Sequence, residues 1–173
     1  MLRLKFIIFL LFIISINNLQ AQYNDDFVEP YVEPKGTNNW FVELGGAALL
    51  WSANYEKYLY QNQTKSLTWT GRVGFGFCPL DYRLLNSVYL EKNSVAMPFT
   101  TSLVLGKRKE KLEIGAGYTL ATKNFIEREV FPTAALGFRV IDNNGTLLRI
   151  VYTPHYRDDK VINWFGVSLG RNF

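Results

Sequence analysis

The feature that most constrains this chain is its last ten residues, Trp164-Phe165-Gly166-Val167-Ser168-Leu169-Gly170-Arg171-Asn172-Phe173. Bulky apolar residues stand at 165, 167, 169 and 173, and small or polar ones at 166, 168, 170 and 172. A period of two is that of a strand with two chemically different faces. A sheet that runs to a terminal aromatic, in a chain that opens with an export signal, predicts a barrel closed on itself in a membrane.

The opening segment has the three parts of a secretory signal peptide. Arg3 and Lys5 are its basic region, residues 6–16 are apolar and uncharged, and Leu19-Gln20-Ala21 offers a cleavage site after Ala21. The apolar run is shorter than the ~20 residues a spanning helix needs. Residues 22–39 follow as an acidic, proline-containing periplasmic tail in which Val-Glu-Pro occurs twice. Proline has no amide hydrogen to give to a central sheet, so this tail reads as extended. The barrel domain is then 40–173.

From Trp40 onward the same alternation recurs. Leu112, Ile114, Ala116, Tyr118 and Leu120 share one face, with Glu113, Gly115, Gly117 and Thr119 on the other. Ala134, Leu136, Phe138 and Val140 oppose Thr133, Ala135, Gly137 and Arg139. Leu148, Ile150 and Tyr152 oppose Arg149 and Thr153, while Leu67, Trp69, Val73, Phe75 and Phe77 oppose Thr68, Thr70, Arg72, Gly74 and Gly76. Pro98 inside 97–105 points to an edge, a bulge or a strand start. No segment outside the signal has a helical period.

Across Gly45-Gly46-Ala47-Ala48 the polar face moves from odd to even positions. A tight turn there gives eight strands, a bulge seven. Eight agrees with the even strand numbers of bacterial barrels and sorts the connections by length. Turns at 60–65, 107–110 and 142–145 are then short and periplasmic, and those at 78–94, 123–130 and 155–163 longer and outside. The fold class expected is all-β, an antiparallel up-and-down transmembrane β-barrel.

The polar face collects Glu43, Glu56, Arg72, Glu113, Arg139 and Arg149 among Gly, Ser and Thr. A solvated outer face would also use Lys. Glu and Arg alone suit an interior network, because buried charges are tolerated when paired and hydrogen-bonded, and an eight-stranded interior is just filled by side chains. The apolar face carries Trp51, Tyr55, Trp69, Phe77, Phe131, Tyr152, Phe165 and Phe173 near strand ends, as aromatic girdles do.

These features resemble the small outer-membrane β-barrel proteins of Gram-negative bacteria, the OmpA-like and related outer membrane protein beta-barrel domain families, over about 40–173. The resemblance rests on the signal peptide, the alternation, the Leu-Glu-Ile-Gly-Ala-Gly-Tyr strand (112–118) and the terminal Phe173. It implies an outer-membrane location and Phe173 as a signal to the barrel assembly machinery. Arg171 stands where a second apolar residue is usual. The resemblance does not single out an activity.

Candidate chemistry is sparse. His155 is the only histidine; it follows a strand on the outer side, where lipopolysaccharide is accessible. Asp158 or Asp159 could orient it, with Ser94 and Ser102 as nucleophiles by default, for an enzyme that modifies outer-membrane lipid. Gly71-Arg72-Val73-Gly74-Phe75-Gly76 lacks the helix a phosphate loop needs. Cys78 is the only cysteine, which excludes a disulfide framework and a multi-cysteine metal site. No cofactor or metal is expected. The formal charge is +4, without the long Lys/Arg run of a nucleic-acid binder. Outer loops with Asp81, Tyr82, Arg83, Leu84, Tyr89, Glu91 and Lys92, then Phe125, Glu127, Arg128 and Glu129, can meet a surface partner or lipopolysaccharide. The expected role is structural or interactive in the envelope, as a monomer with a plugged charged interior. The alternatives are the lipid-modifying enzyme and a secreted soluble barrel that binds an apolar ligand.

Overall fold

In a computed structural model, the structure describes residues 31–32, 34–78, 82–84, 88–90, 94–123, 127–157 and 159–173. The signal peptide, residues 22–30 of the tail, and Asp81, Glu91, Lys92, Phe125 and Asp158 lie outside them, as do the side chains of 82–84, 88–90, 123 and 127. The strands are β1 (Asn38–Gly45), β2 (Trp51–Gln61), β3 (Leu67–Cys78), β4 (Tyr82–Leu84), β5 (Val88–Leu90), β6 (Ser94–Leu105), β7 (Glu110–Lys123), β8 (Glu127–Ile141), β9 (Thr146–Tyr152), β10 (His155–Arg157), β11 (Lys160–Ile162) and β12 (Phe165–Asn172). Eight of them, β1, β2, β3, β6, β7, β8, β9 and β12, pair antiparallel with their neighbours, and β12–β1 closes the ring. The fold is an all-β, up-and-down, eight-stranded barrel. Closure matters because it leaves no row of unpaired backbone groups along an edge.

Three tight connections, 62–66, 106–109 and 142–145, lie at one end with the start of β1 and the C-terminus. Asn172 and Phe173 bond there to Gly145 and Asn38. At the other end β10 and β11 extend the wall, with His155 opposite Thr133 of β8. Strands β7 and β8 continue to Lys123 and from Glu127, so that connection is shorter than the expected 123–130.

The parity change near Gly46 is a turn. Residues Gly46–Ala48 form one turn of 3₁₀ helix that folds into the barrel mouth, with Ala47, Ala48 and Leu49 buried. Gly45 (φ 74°) and Gly46 (φ 67°) allow this reversal. Any side chain at Gly46 would land on the Glu43 carboxylate.

Pro98 sits inside β6, paired with Thr119 on its β7 side. On its β3 side the ladder passes from Val73↔Phe99 to Gly76↔Ala96. The missing amide of Pro98 therefore falls where the ladder is interrupted, opposite Gly74, whose bare Cα leaves room for the ring.

Polarity in this barrel is reversed relative to a soluble domain. Large apolar side chains stand exposed around the wall, among them Leu44 at 66%, Phe138 at 65% and Leu169 at 60%. The side chains that face inward are largely polar or charged.

Candidate functional site: a sealed interior charge layer

The barrel's middle level is built from one side chain per main strand: Glu43 (β1), Glu56 (β2), Arg72 (β3), Ser102 (β6), Glu113 (β7), Arg139 (β8), Arg149 (β9) and Ser168 (β12). Strand parity places each of them inward, and barrel curvature brings together residues far apart in the chain. None of the six charged residues is more than 6% exposed, so the layer is sealed from solvent.

The charges form a chain of alternating sign. Arg72 Nη1 donates to Glu43 Oε2 at 3.2 Å, and Arg149 Nη1 donates to the same oxygen. Arg149 Nε and Nη2 then fork onto Glu113 at 2.7 and 2.9 Å. Glu113 also accepts from Arg139 Nε and Nη2 at 3.1 and 2.7 Å. Arg139 in turn grips Glu56 through Nη1 and Nη2 at 2.6 and 3.0 Å. Planar guanidinium-to-carboxylate forks of this kind are the strongest hydrogen-bonded ion pairs available to a protein.

Glu113 has a particular task. Arg139 and Arg149 are direct cross-strand partners on β8 and β9. Like charges opposite one another repel, and Glu113 on the neighbouring strand accepts from both. The remaining lone pairs are met by neutral donors: Asn39 and Thr70 on Glu56, Ser102 on Glu113, Ser168 and the Ala47 amide on Glu43. All six carboxylate oxygens are therefore met, and Arg72 Nε is the one nitrogen of the three layer arginines left without a partner, close to the condition under which buried ions are tolerable.

Below the layer, the Phe41 ring lies under the guanidinium groups of Arg72 and Arg149, at 5.6 and 5.7 Å. Phe41, Ile141 and Leu147 make an apolar floor. Lys111 also faces the interior and is buried. The inward charges are therefore not Glu and Arg alone, which corrects the expectation from the sequence. The strand begins at Glu110, so Lys111 shares the parity of Glu113.

Above the layer sits the inserted turn. Thr119 Oγ1 donates to the Ala47 carbonyl at 2.8 Å, Trp164 Nε1 donates to Leu49 at 2.8 Å, and His155 Nε2 lies 3.2 Å from the Gly46 carbonyl. Leu49 packs with Cys78 and Phe131. The Phe131 ring meets His155 edge-on at 5.4 Å. Phe131 is therefore an interior residue and not part of the outer girdle, because it has the inward parity of Thr133. His155 is likewise buried, not exposed in a loop: through Pro154 it keeps the inward parity of Thr153. It lies in β10, beyond the end of β9, and burial pushes its pKa down to about 4, so the ring is neutral.

Of the residues proposed for nucleophilic chemistry with His155, Asp158 lies outside the described residues and two of the others are engaged by other groups. Ser102 donates to Glu113, and Asp159 accepts from the Tyr156 hydroxyl at 3.2 Å. Ser94 lines a cleft of about 30 Å³ beside Cys78, with the Arg157–Glu129 ion pair at its edge (2.5 Å). That volume holds a water or two. Among the described residues no group of His, Cys, Asp and Glu could hold a metal ion, and no helix is long and apolar enough to cross a membrane. Phe173 stands half-exposed at the end of β12. Comparison with known proteins returns no match of any kind: no family model, no curated protein and no solved structure is similar to this chain.

Proposed function

We propose that this chain is an outer-membrane β-barrel of Gram-negative type, with a structural or interaction role in the cell envelope. One observation carries the reading. The wall exposes large apolar side chains on every main strand, while six paired charges fill the interior. In water both halves of that arrangement are costly. In a bilayer the apolar wall meets lipid, and the closed ladder leaves no open sheet edge to it. Trp40, Tyr55, Tyr60, Trp69, Tyr118, Phe165 and Phe173 add exposed aromatics of the kind that sit at membrane interfaces.

The charge layer acts as a plug. Side chains that leave no more than 6% of any charged member exposed offer solutes no passage, so the function rests on what the barrel presents and not on what it conducts. The resemblance in sequence to small outer-membrane barrels supports delivery by a cleaved signal peptide and assembly through the Phe173 strand. The longer connections at the His155 end are where a surface partner or lipopolysaccharide would meet the protein. The short-turn end would face the periplasm.

Cell fractionation followed by gel migration with and without heating tests the reading. An outer-membrane band that shifts on heating is expected. A soluble, unshifted protein overturns it.

A further inference from the structure

We infer that the outer face of β12–β1–β2 at the short-turn end is a binding patch for the headgroup of an anionic phospholipid. The inference rests on the membrane reading above. Two adjacent outward rows build the patch. In one, Asn38 bonds to Phe173 and pairs with Lys57. In the next, Trp40 pairs with both Arg171 and Tyr55. Lys57 and Arg171 are exposed, Trp40 is 51% exposed, and no acidic side chain occupies either row.

Cations at these positions are unexpected. On their own strands Lys57 lies between Tyr55 and Leu59, and Arg171 between Leu169 and Phe173. All four neighbours are exposed to the wall's surroundings. Facing hydrocarbon, a Lys or Arg is costly near the midplane but close to neutral at the interface. Arg171 lies at the end of β12 and Lys57 pairs with Asn38, the first residue of β1, which brings both toward the short-turn end, where phosphate groups would be. Aromatic rings beside them suit the amphipathic boundary, and the Tyr55 hydroxyl is already met by Asn38 at 2.7 Å.

The wall next to Lys57 gives the rest of the lipid a place. Across the ladder Lys57 pairs with Gly71. There an open depression of about 670 Å³ spreads over β3, β6 and β7, walled by Tyr55, Leu59, Val73, Phe99 and Tyr118. A row perpendicular to tilted strands climbs from the rim into the apolar belt. A headgroup held by Lys57 and Arg171 would therefore start an acyl chain in that depression. Lys57 and Arg171, set against the Phe173 terminal carboxylate that accepts from the Asn38 amide, leave a net positive charge to meet one negative phosphate.

The test folds the full mature chain into vesicles of phosphatidylcholine alone and of phosphatidylcholine with phosphatidylglycerol. Insertion is read by heat-shifted migration, and retained lipid by native mass spectrometry after detergent extraction. The wild-type chain should keep phosphatidylglycerol in preference to phosphatidylcholine. Lys57→Glu and Arg171→Glu should each lower that retention about fivefold while inserting normally. Equal retention of the two lipids, or retention untouched by the double substitution, overturns the patch. A preference that emerges only when the tail acids Asp25, Asp26, Glu29 and Glu33 are neutralised also overturns it, because the tail is then the occupant. Failure to insert into either vesicle removes the membrane reading itself, whereas insertion without lipid preference removes the patch alone.

Discussion

The middle of the barrel and its His155 end solve the same problem with different strength. In the middle, six charges alternate in sign, and Glu43, Glu56 and Glu113 each take neutral donors in addition to arginines. At the His155 end, side chains hold the inserted turn by single bonds to the carbonyls of Gly46, Ala47 and Leu49. Leu49 has φ 72° and ψ −58°, with Leu50 bonding back to Ala48 at 2.9 Å. That is the rare, strained hand of the γ-turn for a residue with a side chain. Thr153 Oγ1 and His155 Nδ1 are buried there without a hydrogen-bond partner. The middle leaves Arg72 Nε without a partner but meets every carboxylate oxygen, whereas the mouth adds backbone strain to its unmet groups, so the mouth should open first.

The largest expected break of this contrast is Glu113→Ala. It leaves Arg139 and Arg149 facing each other, buried and bridged by nothing, and should cost about 3–5 kcal/mol. Denaturant unfolding of the lipid-inserted chain measures it. Gly46→Ala should come next, at about 1–3 kcal/mol, because it combines a positive φ with a clash against Glu43. Trp164→Phe removes one hydrogen bond to the Leu49 carbonyl and should cost about 1 kcal/mol. Hydrogen exchange should show its effect confined to the 45–50 turn.

Acid sharpens the comparison. His155 is neutral in the folded chain with a pKa near 4, below the ordinary histidine value of 6.5. The unfolded chain therefore binds the proton first as pH falls. Stability attached to this group is complete above about pH 6.5 and declines between there and pH 4, by at most ~1.4 kcal/mol per pH unit. His155→Gln should flatten that segment of the stability profile. An unchanged profile would show that His155 is solvated at the mouth.

The fold was legible because period-two alternation survives in nearly every main strand, and parity separates Glu43, Glu56, Arg72, Glu113, Arg139 and Arg149 from the large apolar residues. Which charge pairs with which was not legible. Arg139 reaches Glu56 on the opposite wall, a meeting set by the stagger of the closed ladder and absent from any local pattern. Residue type misled where it competed with parity: Phe131 looked like an interface aromatic, and His155 like a loop residue past Pro154. Extending the parity of Thr133 and Thr153 outward by two residues would have placed both inside. Lys111 was hidden because a run of cations reads as a turn even where the strand has already begun. The inserted turn at Gly46 left only a parity change, which a bulge would also produce.

The measurement that bears most directly on the reversed polarity is spin-label accessibility along β6 and β12 in phospholipid vesicles. Labels at Phe99, Leu103, Val167 and Leu169 should meet lipid-soluble oxygen, and labels at Ser102 and Ser168 should meet neither oxygen nor a water-soluble relaxant. Outward positions that respond to the water-soluble relaxant instead would contradict the account, and the apolar wall would then need a different partner from lipid.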